Sequence, residues 1–230
     1  MALILSIDTA LEEASVCISE EHEVLAVKRN DRQSDHAAWI HVAIRQLFDE
    51  TQREMSQLSA VAVAAGPGSY TGLRVGMATA KGICYALGLP LITESTLLLI
   101  AQRVKKEIAL TGVYPYPVLI CPMIDARRME VFTTLYDLDL NEQMAPAAMV
   151  LDEASFAATL ENHVIIFCGN GSKKWQYLCI HTHAVFVDVG QNVADLAEFA
   201  AQKFKLRTFS DLAYTEPAYL KNVYTGKNKP

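Results

Sequence analysis

Apolar residues in the first third of the chain fall into short runs separated by polar turns. "LILSID" (3–8), "ASVCIS" (14–19) and "EVLAVK" (23–28) are β-branched or alternating, which predicts a three-stranded antiparallel meander. The period then becomes helical. Ile40, Ile44, Leu47 and Phe48 form one apolar stripe on a helix running to about Asp49, with Ser34 or Asp35 as its cap. "SAVAVAA" (59–65) is a continuous apolar run of the kind buried on both faces of a sheet. A helix from about Leu73 to Leu87, the strand "LPLIT" and a helix from about Thr96 to Lys106 follow. The glycine and two prolines of "TGVYPYP" place a junction near 107–116.

Beyond that junction the opening grammar returns. "VLICPMIDARRMEVFTTLYD" (118–137), like "LILSIDTALEEASVCIS", reads strand, Ile-Asp, polar turn, strand, which suggests a duplicated lobe. A helix over 152–160, the strand "HVIIFC" (163–168), the turn Gly169-Asn170-Gly171, a strand near "AVFVDV" and a helix from about Val193 to Phe204 complete this smaller half. Residues 207–230 read as an extended tail that returns to the first lobe. The resulting division is 1–108, a first lobe carrying the interface helices; 109–190, a second lobe; and 191–230, a helix and tail.

With 230 residues, 51% of them hydrophobic, the chain can bury a substantial core. A net charge of −6 gives no general attraction to nucleic acid, so an RNA contact is expected to need a partner. The start of the chain carries no export pattern and no apolar run is long enough to span a bilayer, so a cytoplasmic protein is expected. Five widely spaced cysteines in apolar runs fit reduced, buried thiols rather than a disulfide framework.

The stretch "AAGPGSYTGLRVGMATAKG" (64–82) resembles a phosphate cradle between strand and helix. A P-loop, however, needs a lysine and a hydroxyl directly after its last glycine, where Leu73 and Arg74 stand here. Gly66, Gly68 and Gly72 are spaced one residue too long for a dinucleotide fingerprint, although Glu94 ends the next strand where a ribose ligand would sit. Ser69 is no nucleophile elbow, because Pro67 and Thr71 occupy the flanking glycine positions. The remaining reading is structural: Gly66-Pro67-Gly68 reverses the chain and Thr71 or Ser69 caps the next helix. Between Gly72 and Gly88 that helix has only Arg74 and Lys81 as charges, and Gly76, Ala78, Ala80 and Gly82 are small. Its apolar circumference needs a second cover, either another chain or the second lobe and tail. Trp39, Val42 and Ala43 on the preceding helix extend the same surface, and on this reading Gly76→Leu or Ala80→Arg would abolish partner binding without disturbing the fold.

Other candidates are weaker. His36 and His41 diverge by about 140° on a helix and cannot share a metal, which makes them surface or interface residues. Cys179, His181 and His183 alternate as on one strand face but lack a fourth ligand. Asp125, Arg127, Arg128 and Glu130 would form a turn carrying either a local charge network or a partner contact. Asp8 could hold magnesium near a phosphate or bond the turn backbone.

"SIDTA", "GPGSYTGLRVGMATAKG", "MIDARRMEVF" and "EPAYL", in this order, resemble the TsaB (YeaZ) family of bacterial tRNA threonylcarbamoyladenosine proteins. The resemblance implies an α/β, actin-like, two-lobed ASKHA fold with ribonuclease H-like lobes, the second reduced. It also implies a non-catalytic relative of TsaD, the subunit that threonylcarbamoylates adenosine 37 of ANN-decoding tRNAs. TsaD carries a His-x-x-x-His metal pair, a spacing that no two histidines show here. The implied partners are a TsaD-type subunit, a TsaE-type P-loop ATPase, tRNA through the complex, and a second copy when the chain is alone. The implied interface comprises His36, Trp39, Ala43, Arg74, Gly76, Ala80 and Ile83, with no cofactor and no metal. Asp8, Thr9, Gly66, Gly68 and Ser69 would be the remnant of a nucleotide site, weakened by Ala10 where the family commonly has serine. The rival expectations are a nucleotide-binding ATPase or kinase of the same fold, a dinucleotide-binding protein, and a metallopeptidase of the glycoprotease type.

Overall fold

The computed structural model describes residues 1–31, 35–108 and 114–221. The meander is β1 (Leu3–Asp8), β2 (Ala14–Glu20) and β3 (Glu23–Asn30), and β4 (Leu58–Gly66) and β5 (Leu91–Ser95) add in parallel to give the order β3-β2-β1-β4-β5. In β4 the alternation of valine and alanine has a structural reason. Val61 and Val63 join the core under α1 (His36–Thr51) and α2 (Tyr70–Leu87), whereas Ala60, Ala62 and Ala64 face Leu196 and Ala200 of α6 (Val193–Lys205). Small side chains on that face let α6 lie close to the strands. Ser34, one of the two caps expected for α1, lies outside the described residues, and Asp35 occupies the cap position.

The second sheet repeats the first. β6 (Val118–Asp125), β7 (Glu130–Tyr136), β8 (Glu142–Val150), β9 (Val164–Cys168) and β10 (Ala184–Phe186) take the order β8-β7-β6-β9-β10, with the same antiparallel and parallel neighbours. The repeat glimpsed at the two Ile-Asp turns therefore extends to whole sheets. α3 (Thr96–Ile108) lies between them: Leu99 enters the first sheet's core, and Leu97, Ile100, Ala101 and Val104 enter that of the second. Two ribonuclease H-like sheets of identical order around a shared helix form the actin-like ASKHA architecture. Among the described residues the outer face of the second sheet has only one-turn helices, α4 (Ala157–Leu160) and α5 (Lys173–Gln176), over a cluster of Phe156, Phe167, Trp175 and Phe186.

The 152–160 helix and the edge strand β8 depart most from the sequence reading. The helix expected over 152–160 is reduced to α4. Asp152 Oδ1 accepts from the Ala154 amide at 3.0 Å and the Ser155 hydroxyl at 2.9 Å, and Phe156 takes φ +62°, so side chains compete for the backbone before a helix can start. β8 went unread because Pro146 lies inside it; as an edge strand it tolerates a residue with no N–H.

The described part of the tail runs along α2. Ser210 N donates to Leu91 O at 2.8 Å and Ala218 N to Ala65 O at 2.7 Å. The only two charges of α2 hold it there: Lys81 donates to the carbonyls of Ala213 and Thr215 at 3.1 Å, and Arg74 Nε donates to the Tyr219 hydroxyl at 3.1 Å. Lys203 of α6 bonds Glu94 at 2.9 Å and the Thr93 carbonyl at 2.8 Å, which places Glu94 in a structural ion pair rather than a ribose site. Lys203→Met leaves the nearly buried Glu94 carboxylate without its cation. We expect a loss of about 2 kcal/mol in urea denaturation at neutral pH.

Candidate functional site

The glycine turn is built by close approach of two backbones. Gly66 sits at φ +106°, open to glycine, and Ser69 caps α2 by accepting from the Gly72 amide at 3.3 Å. A Cβ on Gly68 would lie 2.2 Å from the Ala10 carbonyl oxygen, and one on Gly72 would lie 2.1 Å from that of Thr9. Ser69 N donates to Ala10 O at 2.7 Å, and the Thr9 hydroxyl donates to Gly72 O at 2.7 Å. The glycines thus seat the β1–β2 turn directly on the helix start, and the backbone of residues 9 and 10 occupies the space under the loop.

Asp8 is fully buried at the end of β1. Its Oδ1 accepts from the Ala10 amide at 3.0 Å, while Oδ2 has no partner among the described residues. Burial, with a smaller push from Glu13, raises its pKa to about 6 against the opposing amide bond. The second sheet repeats the device: Asp125 Oδ1 accepts from the Arg127 amide at 2.6 Å, and a Cβ on Gly169, at φ +82°, would lie 2.5 Å from the Met123 carbonyl. Asp125 differs in being exposed and paired with Lys174 at 2.9 Å. Glu130 is paired with Lys221, so a charge network does surround this turn. Between the two turns lies a cleft of about 580 Å³, with Ser69 and Thr71 on one wall and Asp125, Arg127 and Asn170 on the other.

The residues named for an interface separate into two groups. Arg74 is exposed, and Trp39 and Ile83 are half-buried. His36, Ala43, Gly76 and Ala80 are buried within the chain itself. A Cβ on Gly76 would meet the Thr9 hydroxyl at 2.3 Å, and Ala80 packs into the core under α1 and α2. Gly76→Leu and Ala80→Arg therefore disrupt the fold, contrary to the expectation from sequence. The exposed surface of the helix pair is instead Ala38 and Val42 of α1 with Ala78, Gly82 and Tyr85 of α2, and a Cβ on Gly82 meets nothing within 4 Å. Spacing alone had identified these small residues without saying which of them face outward.

Cys179, His181 and His183 do not share a strand face. They lie on the turns before β10, where His183 Nδ1 bonds the Leu160 carbonyl at 2.7 Å and its amide donates to His181 Nδ1 at 3.1 Å. Among the described residues no group of three or more potential metal ligands comes together, and no helix is long and apolar enough to cross a membrane.

Comparison with known proteins places this geometry among relatives. The family model described as TsaD, tRNA N6-adenosine threonylcarbamoyltransferase, matches residues 30–227. The chain is 32% identical over 150 residues to the tRNA threonylcarbamoyladenosine biosynthesis protein TsaB of Bacillus subtilis, a match spanning 64% of this chain and 62% of that protein, under two thirds of its length. It is 27% identical to the Escherichia coli protein of the same name over 242 aligned positions, 99% of this chain and 98% of that one. The solved structure of YeaZ from Pseudomonas aeruginosa superposes with a TM-score of 0.78 at 23% identity, covering 96% of this chain and 100% of that one.

Proposed function

The chain belongs to the TsaB/YeaZ family, and from that premise we propose that it is a non-catalytic subunit required to form N6-threonylcarbamoyladenosine at position 37 of ANN-decoding tRNAs. In this reading it works in the cytoplasm as the companion of a TsaD-type catalytic subunit, with a TsaE-type ATPase joining the pair and tRNA reached through the complex. Residues 1–108 form the docking lobe, 109–190 the reduced lobe, and 191–230 the helix and tail, of which the described part, to residue 221, braces the first. The single observation that carries the reading is how the glycine turn is filled. The carbonyl oxygens of Thr9 and Ala10 lie only 2.1 and 2.2 Å from where Cβ atoms of Gly72 and Gly68 would be, so in this reading the loop supports a helix instead of cradling a substrate.

The docking face is the exposed strip of α1 and α2. Ala38, Val42, Ala78 and Gly82 allow close approach of another helix pair, and Tyr85, 84% exposed, supplies an aromatic anchor beside them. The same face would serve self-association when no partner is present. Burying it on the catalytic subunit favours the active arrangement only if that arrangement binds more tightly than the inactive one.

The direct test is modification of tRNA by the purified TsaD-type, TsaE-type and adenylate-forming proteins, with and without this chain. Modified adenosine over repeated turnovers is expected only when the chain is present, and none from the chain alone. Gly82→Arg should leave the fold intact, weaken binding to the catalytic subunit by about a hundredfold, and depress modification in parallel. Unchanged affinity would remove the docking face while leaving the subunit role to the omission experiment.

A further inference from the structure

Adjoining the cleft, and sharing Ser69, Thr71 and Arg127 with it, a pocket of about 420 Å³ opens where the start of α1, the first turn of α2 and the β6–β7 hairpin meet. His36, the first residue of α1, lines it and is only 3% exposed. Its Nδ1 faces the side-chain nitrogen of Asn30 at 3.5 Å. An amide nitrogen only donates, so a neutral ring facing it accepts at Nδ1 and carries its hydrogen on Nε2. That Nε2 is buried and has no hydrogen-bond partner among the described residues. Leaving a buried donor unmet is unfavourable, and an acceptor supplied from the pocket would relieve it.

The other polar features of the wall have the same sign. Arg127 reaches the pocket from the second sheet, on a backbone at φ +71°, and its guanidinium makes no ion pair among the described residues. Thr71 and Gly72 belong to the first turn of an 18-residue helix, whose N-terminus carries the positive end of the helix dipole. Among the described residues no carboxylate lines the pocket, and Ala37 and Val75 give it an apolar flank.

We propose that this pocket binds an oxyanion, the phosphoryl or carboxylate group of a small molecule or side chain, between His36, Arg127 and the first turn of α2. Because His36 and α2 belong to the first sheet's lobe and Arg127 to the second, the bound anion joins the two. Nothing in the inference depends on the subunit role, so each can fail alone.

The test titrates the full chain with inorganic phosphate and, separately, with acetate, against chloride at matched ionic strength, and follows the His36 ring signals by NMR. One of the two anions is expected to shift the His36 Nε2 resonance with a Kd of about 1 mM or tighter. Tighter phosphate binding identifies a phosphoryl ligand, and tighter acetate binding a carboxylate. Arg127→Asn, with a residue that tolerates positive φ, should weaken the anion at least tenfold, whereas Arg128→Asn on the same turn should leave it unchanged. A His36 ring that answers neither anion overturns the proposal, as does equal weakening by both arginine variants.

Discussion

Gly72→Ala is expected to destabilise the protein by about 3 kcal/mol or more, although it adds one methyl group to a helix. Alanine normally favours a helix over glycine by up to about 1 kcal/mol. At this position the added carbon would lie 2.1 Å from the Thr9 carbonyl oxygen, and that carbonyl belongs to a turn buried between β1 and α2. No flexible side-chain end is available to move aside. Accommodation requires the turn to withdraw, which lengthens the 2.7 Å bond from Ser69 N to Ala10 O and the 2.7 Å bond from the Thr9 hydroxyl to Gly72 O. Gly82→Ala on the same helix is the control, because it meets nothing within 4 Å and should gain about 0.5–1 kcal/mol. Urea denaturation of the two variants beside the parent chain measures both. Equal, small effects would mean that the glycine turn is not held by contact with residues 9 and 10.

Asp8→Asn is expected to become more favourable, relative to the parent, by about 3 kcal/mol between pH 3 and pH 8. In the unfolded chain the carboxyl ionises near its ordinary value of 3.8, and in the fold burial holds it to about 6. Between those values the unfolded chain releases a proton that the native protein retains, so native stability falls as pH rises through the window and stays lower above it. Each pKa unit corresponds to about 1.36 kcal/mol, which sets the size of the change. Asparagine keeps an acceptor for the Ala10 amide and does not titrate. Any fixed cost of burying its amide is the same at both pH values and cancels in the difference. Denaturation curves at the two pH values test it directly, and a difference that does not move with pH would show that Asp8 ionises as easily in the fold as outside it.

Much of this architecture is legible along the chain because it depends on local period. The strands β1 to β5 follow from alternation and apolar runs, and α2 and α6 from their helical stripes. The Ile-Asp repeat pointed to duplicated sheets, because each strand-turn-strand unit needs an acid that accepts from the amide two residues on. Excluding a P-loop required only the residues that follow Gly72. The exceptions share a cause: Pro146 and the Asp152–Ser155 turn act against the local pattern, one permitted by an edge position and the other imposed by side-chain bonding.

What spacing could not decide was which surface each residue meets. Gly76, Ala78, Ala80 and Gly82 are alike in sequence, yet two are buried and two exposed, because the sheet and the Thr9 turn cover one side of the helix and the tail covers another. Arg74 and Lys81 look like solvent charges until Tyr219 and the carbonyls of Ala213 and Thr215 reach them from more than 130 residues away. His36 and Arg127 meet at one pocket only because two sheets are joined through α3. The sequence by itself determined most of the elements, their order and the family resemblance, since period, turn chemistry and motif are properties of neighbouring residues. Tertiary structure alone decided the roles of the glycines, the outward face of the helices and the pocket at His36, because those depend on which distant backbone fills the space beside each residue.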